Sequence, residues 1–482
     1  MNAYRTIYSP PARRADPEAV RAELEAIVGP TRVSTAEAER LAVARDFWPV
    51  TCNWFLDGAV PAVPDFVVWP ESTDEVAAVV RLANRLHVPV TPFGEGSGVL
   101  GGAVPLRGGI TLDMKRMNRV LGLDERSLYV TVEAGLNGEL YERWLNAAGY
   151  TGGHIPQSVR CSTVGGWISC RAAGQFSTKY GKIEDIMAGL TVVTPTGEVV
   201  RCKAVPRAST GPRWEQLLLG GEGTLGVVTE ATLRIWPLPA ARVLRSYAFV
   251  GVGPALEAVR LILRRGIRPA VVRIYDELET GRNFPDVTAA EGKALLILLC
   301  EGDRRLVELE DAISAEEALA QGGVACGEEP VRHWLATRFD VSLSSHMIRK
   351  GAVVDTLEVA APWSAIATVH RDMTEAMMAV EGTLVASGHF SHVYPDGACL
   401  YVTLCGFPPG DLEGYYRAVW DAAMGAVLRN GGTISHHHGI GLQRARFMRQ
   451  EHGDAVELLR RVKQAVDPNG IMNPGKLGLE VD

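Results

Sequence analysis

Residues 94–102 read GEGSGVLGG, five glycines in nine positions, and the residues after them constrain the fold more than any other stretch of the chain. Gly96, Gly98 and Gly101 satisfy the spacing GxGxxG. In a dinucleotide-binding βαβ unit that spacing opens a helix whose N-terminus receives a pyrophosphate. Here the chain goes on as AVPLRGGITLD, where Pro105, Gly108 and Gly109 forbid a helix of any length. The Rossmann arrangement therefore fails on its own context. What survives is a loop of bare backbone N–H groups that can form an anion-binding nest without a helix. The stretch alone leaves a mobile surface loop open as the alternative.

Two further segments have the same small, glycine-rich make-up, GGHIPQSVRCSTVGGWISCRAAGQFSTKYGKIEDI from Gly152 and GGEGTLGVVTEATLRI from Gly220. Glycine supplies 51 of 482 residues, about 11% against a background of roughly 7%, and it clusters in loops instead of repeating with a period. Small, hydrogen-bonding surfaces at strand edges suit a long cofactor lying extended across one domain, and FAD is the candidate. The first loop offers Pro92, Gly94, Glu95, Gly96, Ser97 and Gly98 as cofactor contacts. Ser162, Thr163, Gly165, Gly166, Ser169, Ala172 and Ser177 are the contacts expected from the second, and Glu222, Gly223, Thr224, Gly226 and Val227 from the third.

Composition removes other classes. With 49 basic and 56 acidic side chains the net charge is −7, which disfavours nucleic acid or an anionic membrane as partner. Eight cysteines without a CxxC pair read as buried free thiols in a reducing compartment. The N-terminus lacks the apolar core of a signal peptide, and the run Ala294–Cys300 is too short to span a bilayer. A cytoplasmic, soluble protein is expected, with peripheral membrane contact through an apolar patch left open, and a homodimer.

The fold class expected is α+β. Residues 1–58 form a helical segment that includes a helix over DPEAVRAELEAIVG; residues 59–237 form the cofactor domain; 238–450 a substrate or cap domain; and 451–482 a segment returning to the cofactor domain. Strands are expected near residues 64, 88, 110, 127, 190 and 224, and a capping box at Ser72–Glu75 starts a helix with Val76, Val79, Val80, Ala83 and Leu86 on one face. WPLP at 236–239 punctuates the two domains.

PFGEGSGVLGG, STVGGWIS, GGEGTLGVVTEATLRI and the terminal DPNGIMNPGKLG resemble the signature stretches of the vanillyl-alcohol oxidase and para-cresol methylhydroxylase superfamily of FAD enzymes. The resemblance implies an FAD domain of two subdomains plus a cap with an antiparallel sheet covered by helices. No His or Cys stands where a covalent flavin link is expected near the glycine loop, so the FAD is read as non-covalent. Within the superfamily YGKIEDI, PAVVRIYD, MIRK, TLEVAAPW, YPDGACLY and SHHHGIG are most similar to the alkylglycerone-phosphate synthases. That likeness implies lipid substrates: an acyl dihydroxyacetone phosphate adds to the flavin N5, its carboxylate leaves, and a fatty alcohol attacks without net redox change. By motif match Arg349, Tyr401, His436, His437 and His438 are catalytic, and Arg273 and Arg349 bind substrate.

The residue types suit that chemistry on their own. A phosphate dianion and a leaving carboxylate call for fixed cations, which arginine supplies with bidentate donors. Moving a proton near neutral pH calls for histidine. On an extended backbone His436 and His438 would share one face and His437 would take the other. Each residue also has an ordinary reading, a surface ion pair for the arginines, a solvated or core-satisfied run for the histidines and a packed strand aromatic for Tyr401. The rival enzyme is an FAD-linked 2-hydroxy acid or alcohol dehydrogenase, which holds a metal through His-x-Gly-Asp-Gly-Asn-x-His and Glu-His-Gly. Here HVYPDGACLY keeps His392 but has Tyr401 where the second histidine is expected, and His437-His438-Gly439 lacks the acid. No metal is expected, although His392, His437 and His438 leave an all-histidine set open. A non-catalytic flavin binder would have lost this polar centre.

Overall fold

The Asp16 carboxylate caps Glu18 N, Pro17 takes the first helical position at no cost, and Gly29 (φ +88°) ends the first helix, Pro17–Val28. In this computed structural model, residues 15–58, 60, 62–340, 342–408 and 410–479 are described. The stretch read for a signal peptide, residues 1–14, and the boundary residue Ala59 lie outside them. Val20, Leu24 and Val28 pack in one core with Val76, Val79, Val80 and Ala83 of the helix Thr73–Leu86. Ser72 caps Glu75 N (3.2 Å) as expected, but the Glu75 carboxylate turns to Arg32 (2.7 and 2.8 Å) and Glu71 N, so the reciprocal half of the capping box is replaced by an ion pair.

The first sheet comprises β1 (Val33–Ser34), β2 (Phe66–Val68), β3 (Val90–Phe93) and β4 (Ile110–Asp113) in the order β1-β2-β4-β3, with β4 parallel to both of its neighbours. The loop 94–102 leaves the carboxyl end of β3, the end of a parallel sheet where ligands characteristically bind. Next come β5 (Val120–Asp124), β6 (Tyr129–Glu133), β7 (Tyr150–Thr151), β8 (Met187–Val193), β9 (Val199–Cys202), β10 (Val227–Arg234) and β11 (Trp236–Pro237). Five of them form an antiparallel sheet, β5-β6-β10-β8-β9, and β7 pairs with β11. Residues 471–473 return to β3, where Val90 N donates to the Ile471 carbonyl.

The remaining strands are β12 (Ala241–Phe249), β13 (Val271–Tyr275), β14 (Ala294–Gly302), β15 (Val324–Ala325), β16 (Val353–Pro362), β17 (Thr383–Val393) and β18 (Gly397–Gly406). They form one antiparallel sheet in the order β15-β12-β14-β13-β17-β18-β16. The architecture is thus α+β, with a two-subdomain cofactor domain and an antiparallel cap. Strand alternation splits the two faces of the cap sheet. Leu357, Val359, Phe390, Leu400 and Val402 face a core shared with the helices Val252–Arg264, Ile366–Met378 and Leu412–Arg429. On the other face the register aligns Tyr275, His389, Tyr401 and Glu358 in one row across β13, β17, β18 and β16.

All eight cysteines are free, yet only Cys300 and Cys399 are buried and Cys161 is exposed. The expectation of eight buried thiols is corrected accordingly, since Cys161 closes a short surface turn. No helix among the described residues is long and apolar enough to cross a membrane.

Candidate functional site

The glycine segments meet one another. A Cβ on Gly94 would lie 2.5 Å from Thr163 Oγ1, and one on Gly223 would lie 3.0 Å from the Pro92 ring. Asn137 Nδ2 holds the Glu95 carboxylate (2.9 Å), Lys115 Nζ holds the Gly94 carbonyl (3.2 Å), and Glu222 N donates to Ser169 O (2.9 Å). The hydroxyls of Ser162, Thr163 and Thr224 are engaged by Trp167 Nε1 (2.8 Å), Gly166 N (3.3 Å) and Gly221 O (2.7 Å). They shape the loops. Val227 and Ala172 pack into apolar cores and Gly165 abuts Ala134, so these three act on loop shape through packing.

Buried polar atoms without partners lie in or beside these segments and call for a polar ligand. Both ring nitrogens of His154 lack one, under the Trp167 ring at 4.7 Å, as do Gln175 Oε1 and Asp46 Oδ2. The Asp46 carboxylate is close to the open side of Gly98 (3.3 Å), and burial pushes its pKa up to about 6. Burial likewise raises Glu222 to about 7, against hydrogen bonds from Ile440 N and Gly441 N. Two carboxyls poised near neutrality beside the nest lessen the repulsion an anionic pyrophosphate would meet. These features fit FAD.

The histidine triplet is organised by a residue that the sequence reading overlooked. Glu358, fully buried on β16, accepts the backbone N–H groups of His436, His437 (3.1 Å) and His438 (2.9 Å), the Ser435 hydroxyl (3.1 Å) and Arg444 Nη1 (2.6 Å). Three consecutive amides turned onto one carboxylate cannot belong to an extended strand. The expected alternation is therefore corrected: the rings gather, His436 to His437 at 5.1 Å and His437 to His438 at 4.6 Å between centroids. Burial alone would raise Glu358, but the Arg444 guanidinium and the His438 and His436 rings hold it at about 2. Burial, then neighbouring rings and Lys182, push His436 and His437 well below the ordinary imidazole range. Burial also takes His438 down to about 4 although Glu358 pulls the other way. The triplet is neutral at physiological pH.

Thr356 Oγ1 donates to Tyr401 Oη (3.3 Å), which lies 2.9 Å from His438 Nε2, while His438 Nδ1 faces Glu358 at 3.8 Å. On the same face His389 stacks on Tyr401 (5.1 Å, 17°), receives Arg273 Nη2 on Nε2 (2.6 Å) and donates from Nδ1 to Glu279 (2.8 Å). His392 enters through a β-bulge: with φ +49° it leaves the strand alternation, bonds Ser177 Oγ (2.7 Å) and stacks on His436 (5.2 Å). Ser177 thus reaches this histidine. Tyr394 Oη holds His436 Nε2 (2.8 Å), and Lys182 Nζ holds the His436 carbonyl (2.6 Å).

Tyr401, the triplet and, through His389, Arg273 are brought together; Arg349 is not. It is exposed at the end of the helix Ser342–Arg349, in a cleft shared with Asn53, Leu56 and Asp411. Glu358 lies five residues inside β16, roughly 17 Å beyond the strand's start at Val353, and Arg349 precedes that start. The expectation that it joins Tyr401 and the histidines is corrected on that ground. Glu358, Cys399, His436 and His437 each present a ligand atom within 4.8 Å of the others. The Glu358 oxygens already accept five hydrogen bonds, and Ser177 and Tyr401 draw on His392 and His438, so these three residues are engaged within the protein. A lone acid between Leu357 and Val359 was the available signal for Glu358, because a charge in an apolar strand needs a partner. His389, Tyr394 and Lys182 carried none.

Residues 64–203 match the FAD binding domain model and residues 238–477 the model of the C-terminal domain of FAD linked oxidases. The alkyldihydroxyacetonephosphate synthase of Caenorhabditis elegans is 30% identical over 460 residues, 87% of this chain and 77% of that one. The FAD-linked oxidoreductase YgcU of Escherichia coli (strain K12) is 30% identical over 446 residues, 86% and 89% of the two chains. A D-lactate dehydrogenase of Anaerostipes hadrus is 29% identical over 433 residues, 86% and 90%. Among solved structures, an alkyldihydroxyacetonephosphate synthase superposes with TM-score 0.81 at 26% identity, covering 97% of this chain and 86% of that one. p-Cresol methylhydroxylase shares the fold, with TM-score 0.77 at 17% identity over 96% and 97%.

Proposed function

The chain belongs to the FAD-linked oxidase family and is an FAD-dependent enzyme; from that premise we propose that it exchanges the acyl group of an acyl dihydroxyacetone phosphate for the alkyl group of a fatty alcohol. The observation that carries the reading is the neutral histidine triplet held on Glu358 and joined to Tyr401, beside Arg273. The synthases among its relatives support it. In the exchange the C1–O bond of the ester breaks, carboxylate leaves with both its oxygens, and the alcohol oxygen forms the ether bond. No net electrons move.

Bound FAD supplies the isoalloxazine ring beside which the three-carbon unit reacts. The protein's own groups handle protons and charge. Neutral imidazoles can take a proton from C1 and return it, and a bound dianion would raise their basicity toward neutrality. His438 is the foremost of them, because the Tyr401 hydroxyl can pass a proton to or from its Nε2. Arg273, oriented by His389 and Glu279, supplies fixed positive charge to the anionic part of the substrate.

Hexadecanol carrying heavy oxygen, incubated with the acyl substrate and holoprotein, tests the proposal. The label should appear wholly in the ether product. An oxidised three-carbon acid or aldehyde in place of an ether would overturn it and favour a dehydrogenase like the lactate enzyme among the relatives.

A further inference from the structure

Arg338 is a half-buried guanidinium whose Nε and Nη1 are sealed from solvent without a partner. Aromatic rings wrap it: Phe339 at 4.8 Å, Trp334 at 5.3 Å and Phe176 at 5.4 Å. Its two nearer rings each carry a second arginine. Phe339 also faces Arg160 (5.1 Å), whose side chain is 63% exposed, and Trp334 also faces Arg273 (5.4 Å), which bonds His389. Arg160, Phe339, Arg338, Trp334, Arg273 and His389 therefore form an alternating ladder of cations and rings, running from solvent at the domain junction to the Tyr401 side of the histidine cluster.

Among the described residues no carboxylate forms an ion pair with the middle rung. The carboxylate nearest in charge, Glu301, is taken by Arg242 Nε (2.8 Å) and Tyr180 Oη (2.7 Å), and Arg160 has Glu139 only at 3.6 Å. Burial, then Arg242, bring Arg338 down to about 10. A guanidinium has no acceptor atom and stays charged at working pH, so its unpaired N–H groups call for an acceptor, and an oxyanion supplies acceptor and counter-charge together. The rings keep the fork planar and dry, which strengthens its bond to an anion.

We propose that this ladder is the entry path and binding subsite for the substrate's oxyanion, with Arg338 as the residue that grips it. Arg160 attracts the anion from solution and Arg273 receives it at the reacting end. The choice of a phosphate monoester over a carboxylate rests on the proposed acyl-for-alkyl exchange; the ladder itself does not.

Binding of dihydroxyacetone phosphate, inorganic phosphate and D-lactate to FAD-loaded protein, with affinity measured by titration calorimetry and association rate by stopped-flow fluorescence, decides it. Arg338→Met, which keeps apolar bulk between the rings, should weaken dihydroxyacetone phosphate roughly 10- to 100-fold, the range of a lost charge-assisted hydrogen bond, and Arg338→Lys should fall between. Exposed Arg160→Ala should slow association and flatten its salt dependence; should Arg338→Met not fold, this variant and the lysine variant carry the test. Wild-type affinity and association rate in these variants would refute the ladder, as would absence of binding by all three anions. If lactate alone binds and depends on Arg338, the ladder stands with a carboxylate as its occupant and the synthase reading falls.

Discussion

Replacing Glu358 with glutamine perturbs the centre of the site at constant volume. The carboxylate is wholly buried and serves three backbone amides, one hydroxyl and the Arg444 guanidinium, itself fully buried. Glutamine keeps one acceptor, turns two N–H donors toward other donors, and leaves Arg444 without its counter-charge. Breaking one side of a buried ion pair costs about 3–5 kcal/mol. Titration leads to a similar figure. The folded pKa of Glu358 is about 2 against a reference of 4.5, and at about 1.4 kcal/mol per unit the carboxylate contributes roughly 3 kcal/mol. Because the folded value is depressed, that contribution is present above about pH 4.5 and is lost as pH falls towards 2. Urea unfolding of the FAD-loaded protein, followed by flavin fluorescence at pH 7, should show Glu358→Gln destabilised by about 3–5 kcal/mol, with the acid-dependent loss reduced. A variant within about 1 kcal/mol of the parent, keeping the same pH dependence, would refute the claim that Glu358 holds the triplet.

Tyr401→Phe preserves the stack on His389 but cuts the chain from Thr356 to His438, so turnover should fall roughly 10²- to 10⁴-fold with FAD content intact; equal turnover would remove the relay. His438 and His392 titrate near 4 and 3 in the folded chain because burial disfavours their charged forms. The unfolded chain takes up those protons first, so stability should decline as pH drops from about 6.5 towards 4, and the melting-temperature profile of His438→Gln should be flatter there. Acid precipitation should release the whole flavin as free FAD, since no covalent link is expected; flavin absorbance in the washed pellet would contradict this.

Much of the architecture could be read from the chain because local signals and packing agree. Gly29 after Val28 and Ser72 before the helix Thr73–Leu86 each mark a real helix end, and β-branched runs at 110 and 129 are strands. The glycine loop was legible for what it excludes, since Pro105 and Gly109 preclude the helix that the fingerprint needs. The site was legible where a single segment carries it, as in the histidine run. It was not legible where register decides, because His389, Tyr401 and Glu358 come from strands whose pairing no local pattern announces. His392 was visible as a residue, yet a bulge decides which way it faces. Arg349 was misplaced for a related reason: motif likeness ignores where the following strand begins.

The central claim is non-redox exchange at a neutral histidine cluster beside FAD. Purified holoprotein, kept anaerobic with acyl dihydroxyacetone phosphate and labelled hexadecanol, tests it most directly when the flavin spectrum and the products are followed together. The account predicts labelled ether accumulating over many turnovers with no added electron acceptor. Absence of ether, with flavin bleaching by a 2-hydroxy acid or an alcohol in a parallel panel, would contradict it.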